Sequence, residues 1–125
     1  MPNNVRNALM SNTIELTCTE GEFYEVMSES ALGREWVRWH SENPQFFENF
    51  ERFTFEAINK GHDRLSGWLI ANRVRWETMI VTRGSDYKIK NDYIALFSRL
   101  FMVRHPEYVG FFRTKRMKRL QKDVF

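Results

Sequence analysis

Between Pro44 and Gly61 the apolar side chains Phe46, Phe47, Phe50, Phe53, Ala57 and Ile58 fall at i, i+1, i+4, i+7, i+11 and i+12. That spacing follows a 3.6-residue turn, so it gathers all six on one stripe of an α-helix and points the stripe at a core. Pro44 stands where a first-turn proline loses no hydrogen bond, Asn43 is the expected N-cap, and Gly61 supplies a left-handed stop. In a chain of 125 residues, a helix this rich in phenylalanine commits the molecule to one hydrophobic core. A single domain is therefore expected over residues 1–125, with residues 113–125 as a basic C-terminal tail.

The remaining segments are read by the same periodicities. Asn12 to Thr19 alternates apolar and polar positions and runs into Glu20-Gly21, which predicts a short strand and a turn, with Glu22 to Met27 as a returning hairpin partner. Ser28 or Ser30 caps a helix that runs to about His40, its core side given by Ala31, Leu32, Trp36 and Trp39. Ser66-Gly67 opens a third helix, with Asp63 or Ser66 as its cap, in which Leu69, Ile70, Val74 and Trp76 face the core while Arg73 and Arg75 diverge from them. Met79 to Thr82, the loop Arg83 to Asp86, and Tyr87 to Lys90 read as strand, turn and strand with a cationic rim. Asn91 or Asp92 caps a fourth helix carrying Tyr93, Leu96, Phe97, Leu100, Phe101 and Arg104, and Pro106 ends it. Phe111 and Phe112 are expected to fold back on the core. The resulting fold class is α+β: a mostly helical domain with small β-hairpins, in an order that a winged-helix-like helix-turn-helix protein could use.

Charge divides the chain. Residues 1–62 hold five Lys/Arg against ten glutamates, whereas residues 63–125 hold fourteen Lys/Arg against six acids, within a total of +3. Clustered cations release condensed counterions when phosphates replace them, so the basic half predicts a polyanion partner. The expected nucleic-acid surface comprises Asn72, Arg73 and Arg75 on the third helix, Arg83, Lys88 and Lys90 on the hairpin, and Arg113, Lys115, Arg116, Lys118 and Arg119 in the tail. DNA is placed ahead of RNA as the partner, and a DNA-binding regulator, of phage or prophage kind if the resemblance described below holds, is the leading functional expectation. The alternative is an inhibitor or adaptor that binds a host protein through an acidic N-terminal edge made of Glu15, Glu20, Glu22, Glu25 and Glu29.

Enzymatic patterns are sparse. His40, His62 and His105 are far apart and Cys18 stands alone, so no metal site is expected. No Gly-x-Ser-x-Gly elbow, phosphate loop or dinucleotide fingerprint occurs, which leaves no catalytic residue and no cofactor to assign. A metal-dependent nuclease is a further alternative, since Asp86-Tyr87-Lys88 has an acid-x-Lys form and Asp63 or Glu77 could serve as its upstream acid. The absence of long apolar runs predicts no membrane partner. The lone cysteine, together with opening residues that lack a basic-then-apolar signal, predicts a cytoplasmic protein.

Several short stretches are shared with a known group: Glu51-Arg52-Phe53, Asn72-Arg73-Val74-Arg75-Trp76-Glu77-Thr78, Tyr87-Lys88-Ile89-Lys90-Asn91, Arg99-Leu100-Phe101-Met102, His105-Pro106-Glu107-Tyr108 and Phe111-Phe112-Arg113-Thr114. Over residues 50–113 the chain resembles short, functionally uncharacterised proteins carried by bacteria and their phages or prophages. The resemblance implies a bacterial or phage cytosolic setting and no catalytic residue.

Overall fold

The computed structural model of the protein describes residues 18–84 and 88–114. Along these residues run α1 (Glu20–Met27), α2 (Ala31–Glu42), α3 (Pro44–Asn59), α4 (Gly67–Trp76) and α5 (Asn91–Arg104). α4 continues into a π-helical turn at Glu77–Val81, and a 3₁₀ turn at Pro106–Tyr108 follows α5.

The helix starts follow local chemistry. Ser30 Oγ accepts from the Gly33 amide at 2.9 Å and opens α2, and Ser66 Oγ accepts from the Leu69 amide at 3.2 Å and opens α4. Asn43 precedes Pro44 as expected, but its amide turns backward: Nδ2 donates to the Trp39 carbonyl at 2.9 Å, so the side chain closes α2 and leaves α3 uncapped. Gly61 takes the left-handed conformation at φ +95° that stops α3. α5 begins one residue before the expected caps, with Lys90 at the N-cap position.

The α+β expectation is overturned. Among the described residues there is no strand or sheet, only an isolated parallel bridge between Leu65 and Phe112. Neither a hairpin nor a winged-helix wing is present there. The expected strand from Asn12 lies outside the described residues up to position 17, and Thr19 at its end is the N-cap of α1. Glu22 to Met27 is helical, because Thr19 and Glu22 form a reciprocal capping box: Glu22 N donates to Thr19 Oγ1 at 3.1 Å and Thr19 N to Glu22 Oε1 at 3.0 Å. Phe23, Val26 and Met27 then share the buried face of α1 at i, i+3 and i+4. Met79 to Val81 extend α4 instead of pairing. Thr78 Oγ1 donates to the Val74 carbonyl at 2.9 Å, and the Thr82 amide reaches back five residues to Glu77 at 2.9 Å, which widens the last turn. On the other arm of that hairpin, Tyr87 lies outside the described residues and Lys88 to Lys90 lead into α5 without a strand.

α5 is the centre. Ten of its fourteen residues, Tyr93, Ile94 and Leu96 through Val103, are buried, as expected for a helix wrapped on all sides. Phe97 is the hub: its ring centroid lies 5.0 Å from Phe46, 5.3 Å from Trp36 and His40, and 5.8 Å from Trp39 and Phe47. Phe111 and Phe112 fold back as expected, with Phe112 against Phe50 and Phe101. Two glycines permit close helix approach. A Cβ at Gly33 would lie 1.9 Å from the Met27 carbonyl oxygen, and one at Gly67 would lie 2.1 Å from Ser98 Oγ on α5.

Tyr24, Trp36 and His40 form a ring stack at centroid separations of 5.6–6.3 Å. Trp36 Nε1 and His40 Nδ1 are buried there with no hydrogen-bond partner among the described residues. Burial pushes the Tyr24 hydroxyl up to about 12, with the Glu20 charge acting in the same direction. Burial also pushes His40 below its ordinary value of 6.5. Arg99, on α5, is 2% exposed; burial lowers its pKa to about 10, and Nη1 donates to the Ala95 carbonyl at 3.3 Å.

Two stability predictions follow from this packing. Phe97→Ala is expected to cost about 3–5 kcal/mol and Gly33→Ala about 1–3 kcal/mol, both measured by urea denaturation. For His40, the unfolded imidazole protonates near 6.5 and the folded one only at lower pH. Its contribution to stability is therefore full above pH 6.5 and is lost as pH falls through the folded pKa. Denaturation midpoints on both sides of that window should show a smaller acid loss for His40→Phe than for the native chain.

Candidate docking surface

α4 carries apolar residues on two opposite sides. Ile70, Ala71 and Val74 are buried, in the part of the helix that packs against α3 and α5. The other side holds Trp68, Asn72, Arg75, Trp76, Met79 and Ile80, at i, i+4, i+7, i+8, i+11 and i+12, a continuous stripe that the π turn prolongs. Trp68 is 56% exposed, Trp76 59% and Ile80 51%, and Leu69, Met79 and Val81 are comparably open. Of the large hydrophobic side chains exposed among the described residues, only Val109 lies outside this stretch. Contiguous apolar exposure of this kind makes this side of α4 the candidate docking surface. Within the stripe, Asn72, Arg75, Trp76, Met79 and Ile80 line a notch of about 310 Å³.

A cation stands at one end of the stripe. The Gly84 amide donates to the Thr78 carbonyl at 2.6 Å, which holds Arg83 beside the π turn. At the other end Trp68 Nε1 donates to Asn91 Oδ1 at 3.2 Å, so Lys88, three residues earlier in the chain, lies within about 10 Å of reach of Trp68's anchor. Arg83 and Lys88 are exposed and have no carboxylate partner among the described residues. Arg83 also has φ +58°, in the left-handed region that favours glycine, and so keeps its guanidinium at this position against a backbone cost of about 1 kcal/mol.

The sequence-predicted residues divide into three sets. Asn72 and Arg75 lie on the stripe, Arg83 stands at one end of it, and Lys88 is exposed three residues before Asn91. Arg73 turns to the other side of α4, where Nε meets Glu77 at 3.0 Å, Nη1 meets Glu56 at 3.8 Å and the guanidinium covers the Phe53 ring at 4.4 Å. Lys90 is bound to Glu35 at 2.8 Å, with the Tyr93 hydroxyl donating to the same carboxylate oxygen at 2.5 Å. Arg113 is exposed beyond Phe112, and Lys115, Arg116, Lys118 and Arg119 lie outside the described residues. Leu69 and Trp76, expected to face the core, are 54% and 59% exposed, and Trp68, Met79 and Ile80 were not expected on the surface either. The available signal was an excess of apolar residues over what one helical stripe can hold from Trp68 to Val81.

The proposed acidic edge falls largely on α1, where Glu25 is exposed. Glu15 lies outside the described residues, Glu22 closes the α1 capping box, and Glu20 meets Arg104 at 3.5 Å. Glu77, the candidate upstream acid of a nuclease, is engaged by Arg73, and Asp86 and Tyr87 lie outside the described residues. Among the described residues no three His, Cys, Asp or Glu side chains come close enough to hold a metal ion, and no helix is long and apolar enough to cross a membrane. Comparison with known proteins adds no relative: no family model matches the chain, and no curated protein or solved structure matches it.

The stripe should contribute little to folding, because its side chains remain in water. The double variant Trp76→Ser/Ile80→Ser is expected to unfold within about 0.5 kcal/mol of the native chain, as for surface substitutions generally. Arg83→Gly is expected to raise stability by up to about 1 kcal/mol through relief at φ +58°. Urea denaturation of the three proteins checks both.

Proposed function

We propose that the protein is a cytosolic binding module whose working surface is the exposed side of α4 and its π turn, and that its partner is a protein. One observation carries this reading: Trp68, Trp76, Met79, Ile80 and Val81 lie in one helical stretch, each about half exposed, while the same helix buries Ile70, Ala71 and Val74. Aromatic and long aliphatic anchors in a desolvated centre, with polar groups around them, are what dominate binding energy at protein interfaces.

Nucleic-acid binding is the second reading. It is favoured by Arg83, Lys88 and Arg113, exposed cations without carboxylate partners among the described residues. Two tryptophans eight residues apart on one helix side, about 12 Å along the axis, could also stack on bases. Exposed Met79, Ile80 and Val81 in one helical stretch with the tryptophans match the apolar centre of a protein interface better than a phosphate-contacting surface, which puts the protein partner first.

Site-specific photocrosslinking in the native host distinguishes the two. A photoreactive residue at position 76 is expected to give a discrete adduct that protease destroys and nuclease leaves intact, whereas the same residue at exposed Glu48 gives none. A nuclease-sensitive adduct at position 76 would transfer the assignment to nucleic acid. Equal labelling at positions 76 and 48 would remove the docking surface altogether.

A further inference from the structure

Resting on the protein-partner reading, we infer that the segment seated on α4 is an amphipathic helix whose apolar ridge is flanked by carboxylates. Three observations set its chemistry. The stripe from Gly67 to Val81 spans fifteen helical residues, about 22 Å, so an antiparallel or parallel helix of about four turns covers it end to end. The notch between Asn72, Arg75, Trp76, Met79 and Ile80, about 310 Å³, takes a large apolar anchor from such a helix. Arg83 at one end of the stripe, and Lys88 three residues before the Asn91 that Trp68 contacts, are exposed cations with no carboxylate partner among the described residues. Carboxylates placed outside the ridge of the incoming helix meet these cations without burying either charge, which speeds encounter and selects against basic partners.

The alternatives fit less well. A second copy of this chain would bring its own α4 stripe, in which the one carboxylate from Gly67 to Gly84 is Glu77, already engaged by Arg73. A nucleic acid would satisfy the cations and leave Met79, Ile80 and Val81 against water or sugar. An acidic amphipathic helix satisfies both the apolar ridge and the exposed cations.

The probe is a displayed library of sixteen-residue, helix-biased peptides in which acidic, basic and neutral residues are equally represented at the flanking positions. It is panned on the full chain after depletion on Trp76→Ser/Ile80→Ser. Enriched peptides are expected to carry large apolar residues at i, i+3 or i+4, and i+7, with Asp or Glu beside them, and to blue-shift tryptophan emission on binding. Their affinity should fall at least tenfold in Arg83→Glu/Lys88→Glu and weaken between 0.1 and 0.5 M salt, in line with screening of exposed charge. Enrichment that depends on Trp76 and Ile80 but shows neutral or basic flanks would overturn the acidic partner while leaving the docking surface in place. No enrichment beyond the depleted variant, with both variants shown to be folded by their thermal transitions, would overturn the docking surface itself.

Discussion

The ring of Phe97, enclosed by Trp36, Trp39, His40, Phe46 and Phe47, is the contact on which the other elements depend. A helix surrounded on all sides can exist only if its neighbours supply apolar surface from every direction, and α1 to α4 do so for α5. Edge-to-face and offset ring pairs add directional preference to this burial, so the cluster orients the helices as well as holding them. Once α5 is central, α4 is left at the periphery. Its contact through Gly67 and Ser98 buries one side and turns the other outward. The exposed apolar stripe is thus a consequence of where the core closes.

Charge follows the same geometry. The acidic first half and the basic second half meet across helix boundaries: Glu56 with Arg73, Glu35 with Lys90, and Glu20 and Glu51 with Arg104. Glu51 also lies 2.6 Å from His105. Most of these groups are partly exposed, and exposed pairs of this kind contribute only about 0–1 kcal/mol each. Their larger effect is on the outer surface, because they set Arg73, Lys90 and Arg104 beside carboxylates, whereas Arg83, Lys88 and Arg113 of the expected polyanion surface have none among the described residues. Two members of the polyanion surface expected from residue order, Arg73 and Lys90, are thereby paired with glutamates of the first half.

The helical part of the fold was legible. The stripe from Phe46 to Ile58, the serine caps before α2 and α4, the stop at Gly61 and the break at Pro106 all act through neighbours three or four residues away, and such interactions are written directly in residue order. The hairpins failed for two separate reasons. At Thr19-x-x-Glu22 a capping box was present and passed unread, because the alternation before it favoured a strand. At Met79 to Thr82 the β-branched residues favour extended backbone, yet Val74 and Thr78 continue the helix into a widened turn. β propensity expresses packing on a sheet, and with no strand among the described residues that preference has nothing to act on.

Residue order alone determined that this chain makes amphipathic helices around one aromatic core and that its charge is unevenly divided, since both are properties of composition and local period. Tertiary structure decided which side of α4 meets the core and which arginines find glutamates from distant helices. It also decided that Trp68, Trp76 and Ile80 stay in water. A helix with two apolar sides can bury either one, and the choice is made only when α3 and α5 close on Ile70, Ala71 and Val74.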